Sequence, residues 1–175
     1  IYHILNGFDH LLFIFGLMLL VKEKWMLVKT ITAFTVAHSV TLGLSMYSIV
    51  RLPSSVVEPL IALSIAFVAI ENILVSSLKP WRTAVVFGFG LLHGMGFAGA
   101  LAEVGMPTSR FLPALLSFNV GVEAGQLTVV AAAFLSVGVW HSAKPWYRAR
   151  VVVPASLAIA TVGIYWTIER LTLGA

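Results

Sequence analysis

The sequence predicts an all-α polytopic membrane protein with six transmembrane helices, both termini extracytoplasmic, and a single integral domain over residues 1–175. Three observations carry this expectation. Of 175 residues, 59% are hydrophobic and 10% charged, whereas soluble domains are near half apolar and a quarter charged. At about 20 apolar residues per span, that length holds roughly six crossings and leaves no room for a separate soluble domain. The cations are asymmetric: Lys22, Lys24, Lys29, Lys79, Arg82, Lys144, Arg148 and Arg150 fall at one set of span ends, and Arg51, Arg110 and Arg170 at the other. The positive-inside rule then puts the first, third and fifth connections in the cytoplasm.

The expected helices are 4–21, 30–50, 56–77, 83–104, 111–140 and 150–171, each an apolar run between charge or proline punctuation. The connections, Lys22 to Lys29, Arg51 to Ser55, Leu78 to Arg82, Gly105 to Arg110 and His141 to Ala149, are short, so sequence neighbours should pack antiparallel. Trp25, Trp81, Trp140 and Trp146 fall at the cytoplasmic boundary, where amphipathic rings prefer to sit. The chain starts at Ile1, not Met, with His3 close behind, which suggests a processed or truncated product. A removed signal peptide agrees with an outside N-terminus. A net charge of +4 spread over membrane loops excludes nucleic acid as a partner, and the expected surroundings are the lipid bilayer of a bacterial inner membrane. With no cysteine in the chain, a metal ion must be held by His, carboxylate, amide or Met.

Ionisable groups inside a span cost on the order of 3 kcal/mol or more, so they face a protein interior, a partner or a water-filled path. In the first helix His3, Asn6 and His10 recur at i, i+3 and i+7 on one stripe, with Asp9 beside it. A carboxylate next to an imidazole is a common way to orient a metal-ligating ring, although residues this near the outer boundary also meet headgroups and water. The second helix carries Thr35, His38, Thr41 and Ser45, a polar seam that serves interhelical hydrogen bonding or, with His38 at its centre, a site. In the third helix Glu58 precedes Pro59 at a solvated outer start, and Glu71-Asn72 lies nearer the cytoplasm. The fourth places His93 among Gly88, Gly90, Gly94, Gly96 and Gly99, which permit close backbone approach. The fifth has Asn119, Glu123 and Gln126 on one face, either structural glue or a carboxylate flanked by supporting amides. Glu103, Glu169 and His141 are expected near solvent. Phe34-x-x-x-His38 and Phe89-x-x-x-His93, each followed by an intramembrane Glu, form a weak internal repeat.

Depth arithmetic allows these groups to meet. At 1.5 Å per residue His38 is roughly 13 Å and His93 about 16 Å from the inner helix starts, while Glu123 is about 18 Å from the outer start of a core some 30 Å thick. His10, about 10 Å down from outside, sits one or two turns above.

His3-x5-Asp9-His10 followed by Leu-Leu-Phe resembles the H-x5-D-H motif of the HupE/UreJ family of hydrogenase and urease accessory membrane proteins. Thr32-Ala-Phe-Thr-Val-Ala-His38-Ser, His93-Gly94 and Asn119-Val-Gly-Val-Glu123 are similar to further blocks of that family. The resemblance covers most of the chain and implies a nickel or cobalt permease-like protein in which His3, Asp9, His10 and His93 handle metal. The second motif of the better-studied branch, F-H-G-x-A-H-G-x-E, is reduced here to one His-Gly, so the resemblance is to a divergent branch, with His38 and Glu123 as replacement ligands.

The first functional expectation is therefore transport of a divalent transition metal ion, nickel, cobalt, zinc or copper, through an entrance site of His3, Asp9 and His10 and a midplane site of His38, His93 and Glu123, supported by Asn119 and Gln126. Glu71 and Asn72 would form the exit. The alternative is an intramembrane metal-dependent hydrolase using the same cluster, weakened as a protease by the absence of H-E-x-x-H; a third is an accessory subunit whose histidines are glue.

Overall fold

The computed structural model describes residues 7–20, 24–75, 81–103, 111–133, 135 and 144–173. Among them the chain is helical, without strands: α1 Phe8–Leu19, α2 Lys24–Met46, α3 Ser54–Leu74, α4 Arg82–Glu103, α5 Phe111–Ala133 and α6 Val153–Thr172. Four helical stretches, Trp25–Met46, Ser54–Leu74, Pro113–Ala133 and Arg148–Thr172, are long and apolar enough to cross a membrane. The described part of α1 is only 12 residues, about 18 Å at the helical rise.

Several boundaries depart from the sequence expectation for physical reasons. Helix α2 begins at Lys24, inside the expected loop, because nothing between Lys24 and Lys29 breaks a helix. Lys29 lies over the Trp25 ring one turn earlier. It ends at Met46, not at Val50, because Ser48 takes a left-handed conformation (φ 61°) and Ile49 N–H returns to the Leu44 carbonyl, a Schellman-type stop. Helix α6 is preceded by a π-helical turn, Arg148–Val152. Pro154 has no N–H to give the carbonyl four residues back, and the ladder widens there.

Two intimate pairs organise the bundle. Helices α2 and α4 run parallel, in contact from Thr30 and Thr83 hydroxyls at 3.3 Å up to Thr41, whose hydroxyl donates to the Leu91 carbonyl at 2.7 Å. The approach depends on absent side chains: a Cβ on Gly90 would strike the Phe34 carbonyl, and one on Gly94 the His38 carbonyl and Thr41 hydroxyl. Helices α3 and α6 run antiparallel, with Gly163 against the Ala62 and Ala66 backbone. Helix α1 joins the pairs, burying Phe13 and Leu17 in a core shared with Ile31, Phe34, Ile65, Val68 and Ile159. Helix α5 lies along α2, crossing it antiparallel.

This arrangement gathers the cation-rich helix ends. The α3 C-terminus is held by Arg148, which donates to the carbonyls of Asn72, Ile73 and Val75. Arg82, expected at the helix boundary, is 3% exposed and pairs with Glu71 at 3.2 Å. Trp25, Trp81 and Trp146 are all exposed, as expected of interfacial rings.

The packing predicts a contrast between two glycines of α4. Gly94→Ala forces the α2 backbone away and should cost on the order of 1–3 kcal/mol, whereas Gly88→Ala meets nothing within 4 Å and should be neutral or stabilise by up to about 1 kcal/mol. Thermal unfolding in detergent reads both; equal midpoints would refute the close-approach account.

Candidate metal site and outer vestibule

Three histidines from three helices meet inside the bundle. His10 continues the buried stripe of Phe13, Ile14 and Leu17 on α1, His38 the stripe of Ile31, Phe34 and Thr41 on α2, and His93 lies on the glycine face of α4 that α2 covers. The His10 ring centroid is 6.0 Å from that of His38 and 5.3 Å from that of His93. The ring centroids of Phe34 and Phe13 stand 5.1 Å and 5.2 Å from that of His93, so apolar rings adjoin the cluster. Exposures of 8%, 0% and 1% put all three imidazoles in the interior.

Ser64 of α3 adds a fourth helix. Its hydroxyl donates to the Ile61 carbonyl at 2.7 Å and lies 3.1 Å from His93 Nε2. A hydroxyl has one proton, so with that proton on Ile61 the ring nitrogen is the donor, and the His93 lone pair falls on Nδ1. Two imidazoles sharing a first-row ion, with nitrogens about 2 Å from it, have centroids roughly 5 to 6 Å apart. The observed spacings lie in that range, but among the described residues no three His, Asp or Glu side chains stand ready around one metal position. An ion held there would require the rings to move first.

Above the cluster opens a vestibule of about 260 Å³ bordered by Gly7, Asp9, His10, Glu58, Ile61, His93, Gly96 and Arg170. Asp9, expected to orient a histidine, instead receives Arg170 Nη2 at 3.0 and 3.1 Å on its two oxygens. Arg170 Nη1 also donates to the Glu58 carbonyl at 3.1 Å.

The remaining expected residues are placed elsewhere. His3 and His141 lie outside the described residues. Glu123 Oε1 accepts from Thr32 Oγ1 at 2.7 Å, and Gln126 Oε1 from Thr35 Oγ1 at 2.9 Å, so both face α2 as their spacing required. Thr32 is six residues before His38, about 9 Å along the axis, so Glu123 sits below the imidazoles instead of level with them. Asn119 is buried one turn from Glu123 on the other side, with no hydrogen-bond partner for Oδ1 among the described residues. The hydroxyl seam of α2 does interhelical work through Thr35 and Thr41.

Glu71 and Asn72, expected as an open exit, are tied into the bundle. Asn72 Nδ2 donates to the Gly16 carbonyl of α1 at 2.6 Å, and its Oδ1 receives both Arg82 terminal nitrogens at 3.0 Å. With the Glu71 ion pair these bonds join α1, α3 and α4 across the end opposite the vestibule. Sequence reading missed Ser64, Arg170 and the burial of Arg82. A lone Ser on an apolar helix gives no signal, but Arg170 and Asp9, charges at the same expected outer level, could have been matched.

A family model described as "HupE / UreJ protein" matches residues 1–170. No match was found among curated proteins or solved structures. With apolar helices through most of its length and a family match over nearly all of it, this multi-pass membrane chain belongs to the HupE/UreJ family.

Proposed function

We propose that this protein moves a divalent transition metal ion, nickel- or cobalt-like, across a bacterial inner membrane. The observation that carries the reading is the burial of His10, His38 and His93 together beneath a vestibule bordered by two acidic residues, Asp9 and Glu58. Membership of the HupE/UreJ family suggests a nickel or cobalt accessory or permease-like role. Imidazole nitrogen suits nickel, cobalt, zinc and copper(II). His10 would receive the ion from the vestibule, and His93, its proton held toward Ser64, would offer Nδ1. His38 would complete the set, with His3 and Asp9 nearer the entrance. Glu123, Asn119 and Gln126 support this reading as a polar seam alongside α2, at a level below the imidazoles. A permeating ion needs several moderate sites spread over depth, since one closed cage would not release it.

In this reading all six helices cross the bilayer, with both termini outside and the Arg82 and Arg148 end in the cytoplasm. A single Cys introduced at Lys24 of this cysteine-free chain should react with a membrane-impermeant maleimide only after the inner face is opened; labelling from outside would reverse the topology.

The metal site predicts that a saturating ion stabilises the protein, by about 2.7 kcal/mol at a hundredfold excess over Kd. Nickel chloride should raise the unfolding midpoint of the wild type and not that of His38→Ala or His93→Ala. Equal shifts in all three would remove the site.

A second reading, a metal-dependent hydrolase, draws on the bonded network of Glu71, Asn72 and Arg82: an enzyme wants a closed inner side, whereas a transporter must break that network in each cycle. Glu71→Gln weakens the tie to Arg82 and should change nickel uptake into proteoliposomes while leaving the nickel content of purified protein unaltered. Wild-type protein that binds nickel yet shows no protein-dependent uptake would favour the hydrolase.

A further inference from the structure

The vestibule holds its own cation. Arg170 on α6 grips both oxygens of Asp9 on α1 and the Glu58 carbonyl on α3, so one guanidinium ties the outer ends of three helices. The pair is only partly shielded, with 19% of the Arg170 and 28% of the Asp9 side chain exposed. Both line the 260 Å³ space that His10 and His93 also border. A water takes about 30 Å³ of liquid volume, so a divalent ion with six waters needs roughly 200 Å³. Room is therefore not the obstacle to arrival. The obstacle is that Asp9, the carboxylate adjoining His10, is already engaged at both oxygens by one nitrogen of an always-charged guanidinium whose other terminal nitrogen holds the Glu58 carbonyl.

We infer that Arg170 is a tethered cation occupying the entrance carboxylate at rest, and that an incoming divalent ion must displace it from Asp9 to reach His10. The inference rests on the transport reading for its cargo, but it concerns a residue which that reading does not use. The exchange is favourable in charge for a divalent ion only. Asp9 and Glu58 supply two negative charges to the vestibule against one on Arg170, and a dication satisfies both while the guanidinium swings out to water. A monovalent ion replaces one positive charge with another and forfeits the charge-assisted hydrogen bonds of the guanidinium to Asp9 and the Glu58 carbonyl. Arg170 is thus a specificity-determining residue: it sets the charge an ion must carry to enter. Because displacement also unties α1 from α3 and α6, arrival of the ion and loosening of the outer helix ends are one event.

The test is calorimetric titration of the full chain in detergent with nickel chloride, for wild type, Arg170→Ala and Arg170→Lys. Removing the competitor should tighten nickel binding about tenfold in Arg170→Ala, because the binding-competent fraction rises, and Arg170→Lys should stay near the wild type. Millimolar methylguanidinium, filling the vacated place, should return Arg170→Ala toward wild-type affinity, a rescue that a purely structural Arg170 would not show. Binding by Arg170→Ala equal to or weaker than wild type, or indifferent to methylguanidinium, overturns the inference. If Arg170→Ala does not fold, Arg170→Gln carries the same two outcomes. Nickel binding that depends on His38 and His93 but not on Arg170 sinks this inference alone; no wild-type binding sinks the transport reading with it.

Discussion

The structure depends on one constraint: charges and dipoles in an apolar bundle must find partners inside it. Water is not at hand to repair an error, and an unmatched charge costs several kcal/mol. Two buried or partly buried ion pairs among the described residues meet that requirement at opposite ends, Asp9 with Arg170 and Glu71 with Arg82. Each pair joins different helices, so satisfying the charge also fixes how the helices are arranged. Asn72 extends the principle, accepting from Arg82 and donating to Gly16, so the described part of α1 is docked by a hydrogen bond to its backbone.

Close packing and polar bonding divide the labour. Within each pair, α2 with α4 and α3 with α6, glycines bring backbones into van der Waals contact, the device by which helices associate where lipid offers no hydrophobic drive. Between the pairs, the named contacts include Ser64 with His93 and Arg82 with Glu71 and Asn72. Packing inside a pair cannot be undone without opening a void. A polar contact between pairs can be exchanged only where an incoming ion or water reaches the freed groups, since a group left unpaired there keeps its full desolvation cost.

How much of this was legible in the sequence follows from which signals are local. Helix identity was, since apolar length and the absence of breakers act over one segment. The shared interior of His38 and His93 was reachable because each lies on a face marked by hydroxyls or glycines. Depth arithmetic allowed His38 and His93 to meet, with His10 a turn or two above, but put Glu123 level with them, because tilt and register between α2 and α5 are set by packing that no single segment encodes. The partners of Asp9 and Glu71 were not legible for the same reason. Asp9 is next to His10 in sequence, so proximity suggested an orienting carboxylate; its actual partner is 161 residues away. Arg82 looked like one more cytoplasmic cation because counting rules treat Lys and Arg alike, whereas a planar guanidinium can be buried against a carboxylate and an amide at once.

These two kinds of contact bear on how a seam could open. The imidazoles lie where three of the packing units meet: α1, which belongs to neither pair, contributes His10, the α2–α4 pair contributes His38 and His93, and the α3–α6 pair contributes Ser64. Above them the seam is crossed by Arg170, below them by Arg82 and Asn72. If the proposed transport moves one pair against the other, the polar contacts between them must be exchanged and the shared core of Phe34, Ile65 and Val68 must slide, while the glycine contacts inside each pair can stay. In that proposed motion one charged closure would break while the other holds. Opening both together would leave two ion pairs unmatched at once, and their separate placement at the two ends makes that the costlier state. In the proposed transport, the same division that keeps ionisable groups satisfied at rest would disfavour a continuous pore and favour access from one side at a time.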